Sequence, residues 1–361
     1  MRFLKYIAMS WTIWGISLYL FSPYLTILLE HSINSNLIGL TYVISSIAGV
    51  FLLASLGRTK SREVVEGSLV LSGVGLLLLG LIQSPITSVL GLILYNSYWV
   101  AVPFFYYELS RGEKEEFSKA WAISMVPAII LPIIGGMIVL HAGLNAVFVV
   151  AGIVMMLSAI PLRWVKFEVK EGEGSSQLSL IPLIFSVLPL SLALPFLYEV
   201  RFFELSAVWI TYEIGEIVGI LITLMSWRIK NPLQLSLLLF STVFINSFIS
   251  VGGFYYGLSE ALLSVGVESV RPKSYRDAVK VALAEALIWT IGYIVASIVY
   301  IINYSLPFIY ASLIALLFSL LLLVEIGEIR YKTLTEKALS KLMSMLTSPL
   351  YEGIEPYFKF A

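Results

Sequence analysis

Apolar runs of about twenty residues recur from position 6 to position 324, with short polar breaks between them. A helix of ~20 apolar residues covers the ~30 Å hydrocarbon core of a bilayer, so each run is long enough to cross. Within lipid every backbone N–H and C=O has to be satisfied by the protein itself, which leaves helices and closed barrels. Barrel strands would alternate apolar and polar residues over about ten positions. Stretches such as 76–80 and 311–324 show no alternation. The fold class expected is an all-α polytopic membrane protein.

Twelve spans are expected, at 6–29, 37–57, 65–83, 86–108, 118–141 and 144–164, then at 178–199, 203–226, 232–251, 253–270, 277–301 and 305–325. The composition supports lipid as the solvent: 59% of residues are hydrophobic and 13% charged. Soluble domains are nearer 45–50% and ~25%. The run 6–29 is too long for the core of a cleavable signal and no small-x-small site follows it, so it is read as the first span.

Between the sixth and seventh spans lies the longest polar interruption before the tail, 163–177, rich in charge, Gly and Ser. Such a stretch buries little apolar area and reads as a solvated connector. The expected organisation is therefore a six-helix bundle at 1–164, a cytoplasmic linker at 165–177, a second six-helix bundle at 178–325 and a cytoplasmic tail at 326–361. With both termini inside, all 23 Lys and Arg residues except Arg201 fall on the cytoplasmic side, as the positive-inside rule requires. In the tail, Leu334, Ala338, Leu342, Met345 and Leu346 share one helical face, flanked by Lys332, Lys337 and Lys341, which suits a helix lying in the membrane interface.

Several function classes are excluded or disfavoured. No Gly-x-x-x-x-Gly-Lys-Ser/Thr occurs, which argues against a nucleotide-driven pump. The two histidines, His31 and His141, sit at helix ends rather than where a haem would need them. Glu113, Glu115 and Glu116 beside Lys114 read as a solvated charge run, not an enzyme site. Zero formal net charge points to no nucleic acid, and the absence of cysteine removes disulfides and thiolate metal sites. No cofactor is expected, and the protein is read as a non-enzyme.

Two six-helix halves joined by a long cytoplasmic loop resemble the major facilitator superfamily of secondary transporters. Pro132, Gly135 and Gly136 in the fifth span are similar to part of that superfamily's Gly-Pro-x-x-Gly-Gly motif, which marks proton-exchanging exporters. Physically, small residues allow close helix packing and proline bends the helix, so these three are candidates for packing and gating. The loop after the second span has Gly49, Gly57, Arg58, Lys60 and Arg62 but lacks the superfamily's aspartate, so no gating role is assigned to it. The resemblance implies alternating access, with spans 1, 4, 7 and 10 lining a central cavity.

Charges at bilayer depth cost ~2.5–3.5 kcal/mol each on insertion scales and call for a reason. The first half has none well inside a span. The second has Glu213 and Glu216 at i and i+3 on span 8, Glu260 on span 10 and Glu285 on span 11. Desolvation favours the neutral form of a carboxyl, the chemistry needed for loading and releasing protons. These four are the candidate proton-coupling residues. The first half instead offers aromatic groups: Trp11 and Trp14 at i and i+3, and Tyr95 and Trp99 at i and i+4 beside Asn96. They are the candidate substrate contacts, suited to an amphipathic organic molecule or a cation. Tyr106 and Tyr107 are placed in the interfacial aromatic belt.

The function expected is proton-coupled efflux of a small lipophilic or amphipathic compound across the cell membrane, by a protein that can act as a monomer. The alternatives are a proton-coupled importer of a sugar or organic acid, and a sensor or scaffold that has kept a transporter fold without transporting.

Overall fold

The computed structural model describes residues 2–165, 178–197, 205–249 and 251–326. Most of the connector and the whole amphipathic tail lie outside these, as does Arg201. The described residues are helical with no strand. The first helices are α1 (Arg2–Ser32), α2 (Ser35–Leu56) and α3 (Arg62–Leu81). Next, α4 (Pro85–Tyr95) passes through a 3-10 turn at Asn96–Val100 into α5 (Val102–Ser110). Likewise α6 (Lys114–Met125) passes through Val126–Ile129 into α7 (Leu131–Ala142). The chain continues with α8 (Leu144–Leu157), α9 (Ile181–Ala193), α10 (Leu205–Met225) and α11 (Pro232–Phe240). It closes with α12 (Gly252–Val270), α13 (Tyr275–Ile302) and α14 (Leu306–Ile326). Among the described residues, eight helical stretches are long and apolar enough to cross a membrane, and Ile181–Phe196 and Pro232–Ser247 are shorter apolar helices.

The helices follow the apolar runs, and where one run is split the cause is local. Proline has no N–H and its ring crowds the carbonyl four residues back. Pro103 therefore disrupts the ladder at Trp99, inside the Asn96–Val100 turn, and Pro127 lies within the Val126–Ile129 turn. The 3-10 stretch Ser241–Ser247 has no proline. There Ser241 and Thr242 donate to the carbonyls of Leu238 and Leu239, each at 2.7 Å, a back-bonding that bends helices. Ser84 starts α4 with a reciprocal capping box to Thr87, followed by Pro85 at the first turn. Gly143, with φ 87°, makes the sharp junction between α7 and α8 that a side chain would strain.

Helix association in lipid relies on close packing and buried hydrogen bonds, because lipid tails are as apolar as the side chains. Phe51, Ile86, Leu140 and Leu313 face outward, where water would penalise them and lipid does not. In the first half, Gly73 and Gly152 bring the backbones of α3 and α8 together. In the second, Gly215, Gly219 and Gly257 do the same for α10 and α12. Buried serines tie neighbouring helices: Ser10 donates to the Ser158 carbonyl at 2.6 Å and Ser72 to that of Tyr95 at 2.6 Å.

Helices α1–α8 pack mainly with one another, as do α9–α14. The two sets meet where α2 and α5 touch α13 and where α6 touches α10 and α12. One end of the molecule collects basic loops and fastens the sets together. Tyr275 donates to the Gly57 carbonyl at 3.0 Å. Arg271 donates to the carbonyls of Ser110 and Gly112 at the end of α5. Ser118 and Ser226 are 2.7 Å apart, and Ser226 donates to Glu268 at 2.9 Å. Arg271 holds a left-handed backbone, φ 42°, which costs an L-residue roughly 1–2 kcal/mol. Its guanidinium contacts across the interface offset that strain.

Candidate functional site

A central cavity of about 230 Å³ lies between the two sets of helices. A single water needs only about 10–15 Å³ by this measure, so the space suits an organic molecule. Its wall draws on α1, α2, α4 to α6, the end of α9, α12 and α13. All five aromatic and amide candidates, Trp11, Trp14, Tyr95, Asn96 and Trp99, line it, and so do Glu260 and Glu285.

The aromatic wall is continuous. Trp11 and Trp14 meet edge to face with ring centroids 4.6 Å apart, as their i, i+3 spacing on α1 allows. Trp11 also lies 5.0 Å from Phe105 and 5.2 Å from Trp121. On the next helix Tyr98 joins the set, 5.1 Å from Tyr95 and stacked 5.2 Å from Trp99. Tyr98 follows Tyr95 by three residues, the same spacing that pairs Trp11 with Trp14, and this was the signal that could have placed it on the wall.

Glu285 is buried and takes a donor on each carboxyl oxygen. Tyr106 donates to Oε2 at 2.7 Å and the Trp289 indole to Oε1 at 3.4 Å. An indole can only donate, so Oε1 is held as an acceptor. A phenol can give to a carboxylate or take from a carboxylic acid, so the Tyr106 contact survives in either protonation state. Glu260 is half-buried, stands near the side chain of Trp121, and lies within electrostatic reach of Glu285. One turn beyond Glu285, the hydroxyls of Ser46 and Thr290 meet at 2.5 Å and bridge α2 to α13.

The placement of Tyr106 and Tyr107 in an interfacial belt is corrected here. Both are buried, Tyr106 against Glu285 and Tyr107 against the ring of Tyr275, 5.9 Å away. The division into an aromatic half and an acidic half is also looser than expected, because Tyr256, Trp289 and Tyr293 of the second half line the same cavity. Glu213 and Glu216 do not line it. Glu216 is fully buried on α10, within electrostatic reach of Tyr19 and Tyr256, and Glu213 is half-buried. Glu216 thus lies near Tyr19 of α1 and Tyr256 of α12, which line the cavity where it does not.

Pro132 and Gly135 serve packing within the first half. Tyr24 donates to the Pro132 carbonyl at 3.1 Å, and a side chain on Gly135 would crowd Tyr24 and the Leu20 carbonyl of α1. Gly136 is buried on the same turn. The contacts of this broken helix with the second half come earlier, from Ser118 to Ser226 and from Met125 to Thr223.

The sequence matches no protein-family model and no curated protein. The fold, by contrast, is shared with many solved structures. One is the human organic anion transporter MFSD10 (TETRAN), with TM-score 0.63 and 15% identity over 89% of this chain and 99% of that one. Another is the fucose:proton symporter FucP of E. coli, with TM-score 0.60 and 14% identity over 88% and 97%. A third is a bacterial homologue of the iron transporter ferroportin in an outward-facing state, with TM-score 0.61 and 13% identity over 89% and 97%. At these identities the likeness concerns architecture.

Proposed function

We propose that this protein is a secondary active transporter, not an enzyme, working by alternating access with proton coupling and carrying a small amphipathic organic molecule across the cell membrane. The observation that carries this reading is a cavity between two helical sets, with two carboxyls on its wall and hydrogen bonds between the sets at one end. In this reading the consecutive helical stretches make twelve crossings, six on each side of the 165–177 linker, with both termini and the basic end in the cytoplasm. A monomer suffices, since one chain builds the whole cavity.

Glu285 and Glu260 are the principal proton sites, and Glu216 contributes as a buried neighbour of Tyr19 and Tyr256. Proton exchange at Glu285 changes the charge beside Tyr106 and reverses the direction of the hydrogen bond that joins α5 to α13. That gives the carboxyl a lever on the contact between the two sets. The direction assigned is outward, on the likeness of Pro132, Gly135 and Gly136 to the exporter motif.

The absence of native cysteine makes the test direct. Ser45 lines the cavity and bonds only back to Tyr42 of its own helix, so Ser45→Cys introduces one thiol with little disturbance. In proteoliposomes, a membrane-impermeant maleimide applied from either side is expected to label it, with the ratio of the two rates changing with pH. Labelling from one side alone under every condition would rule out alternating access.

A further inference from the structure

Resting on the transporter reading above, we propose that the cargo is an organic cation bearing a single positive charge, seated with that charge between Glu260 and Glu285 and its apolar body against the aromatic wall. Three observations on the cavity converge on this class.

First, the charge of the wall has one sign. Glu260 and Glu285 line it, and among the described residues no Lys, Arg or His does. An organic anion would be repelled there and would meet no fixed cation. Second, the rings of Trp11, Trp14, Tyr98 and Trp289 line the same cavity as the acidic pair, and the Trp289 indole bonds to Glu285. Their faces carry partial negative charge, which attracts onium and ammonium groups more than neutral ones.

Third, three further polar side chains of the wall are already tied to backbone. Asn96 donates to the Leu92 carbonyl at 2.8 Å, Ser45 to that of Tyr42 at 3.0 Å and Ser124 to that of Trp121 at 2.6 Å. A sugar needs several free donors and acceptors, and these three side chains spend their donors on the protein's own backbone. A divalent metal is disfavoured on the same ground of donor count, because no group of three or more His, Cys, Asp or Glu gathers among the described residues. A cation too large to need full coordination, with apolar surface to bury, is what two carboxyls inside an aromatic wall can hold.

The experiment compares tetraphenylphosphonium with tetraphenylborate, ions of the same shape and opposite charge, and with neutral triphenylphosphine oxide. Binding to the full-length, detergent-solubilised chain is read by equilibrium dialysis and by quenching of tryptophan fluorescence. The phosphonium is expected to bind at least about tenfold more tightly than either other probe, as for a buried charge pair. Glu285→Gln and Glu260→Gln should each weaken it by a similar factor, and by more than they change binding of the neutral probe. Equal or stronger binding of the borate or the oxide, or no binding of the phosphonium, would overturn the proposal, and this charge comparison stands on the unmodified chain even if a variant misfolds. Phosphonium binding with Ser45→Cys accessible from one side only would sink the transporter reading but keep the cation site. Two-sided access with a preference for the borate would do the reverse.

Discussion

Glu285→Gln is expected to remove proton coupling, lowering coupled flux by roughly tenfold or more while the protein still folds. The amide matches the carboxyl in shape, its oxygen can still accept from the Trp289 indole and its NH2 can donate to the Tyr106 phenol, but it cannot bind and release a proton. A hydrogen bond to a charged group is worth about 1.5–3 kcal/mol, and 1.4 kcal/mol is a factor of ten, which sets the scale. The substitution should also erase a pH-dependent carboxyl band in the infrared difference spectrum of the reconstituted protein. Glu213→Gln is the control, because Glu213 does not line the cavity. It should leave both flux and that band unchanged. A carboxyl band that persists unaltered in Glu285→Gln would move the proton site elsewhere.

Gly257→Val is expected to be the most destabilising change on the packing side. A Cβ there would overlap the backbone nitrogen of Glu216 and the carbonyl carbon of Gly215. Neither obstacle is the end of a flexible side chain, so α10 and α12 would have to separate along their length. Overpacking of a tight interface costs about 1–3 kcal/mol and more when backbone must move. Thermal unfolding in detergent should show a clear drop in midpoint, with loss of the monodisperse fraction on size exclusion. Gly67→Ala provides the contrast, since nothing lies within 4 Å of a Cβ at that position. It should be neutral or slightly stabilising, because alanine has less unfolded-state freedom to lose.

Much of the architecture was legible because lipid imposes one rule on every segment: twenty apolar residues, all backbone groups satisfied internally. The intramembrane acids stood out for the same reason, by their cost. Trp11 and Trp14 could be placed together because α1 is regular there. Tyr98 was legible on the same ground, three residues after Tyr95, and was passed over. Tyr106 escaped because its partner, Glu285, is 179 positions away and on the other half. No local periodicity reports such a pairing. Trp289 was within reach of sequence reasoning, since it follows Glu285 by four residues on one helix. The lock at the basic end was not, because it rests on backbone carbonyls of Gly57, Ser110 and Gly112, which carry no side-chain signature. Tyr275 reaches the loop after α2 and Arg271 the loop after α5.

The central claim is that the two sets of helices exchange between closure at the basic end and closure at the other. Spin labels at Thr59→Cys and Lys273→Cys report the basic end, and labels at Asn34→Cys and Asn303→Cys report the opposite one; all four positions are exposed. Double electron–electron resonance on each pair, in lipid nanodiscs, should give two distance populations that change in opposite senses as pH is varied. Arg271→Ala, which removes the clamp on Ser110 and Gly112, should increase the longer basic-end distance and the shorter opposite-end one. A single distance at each end, unmoved by pH and by Arg271→Ala, would contradict the account.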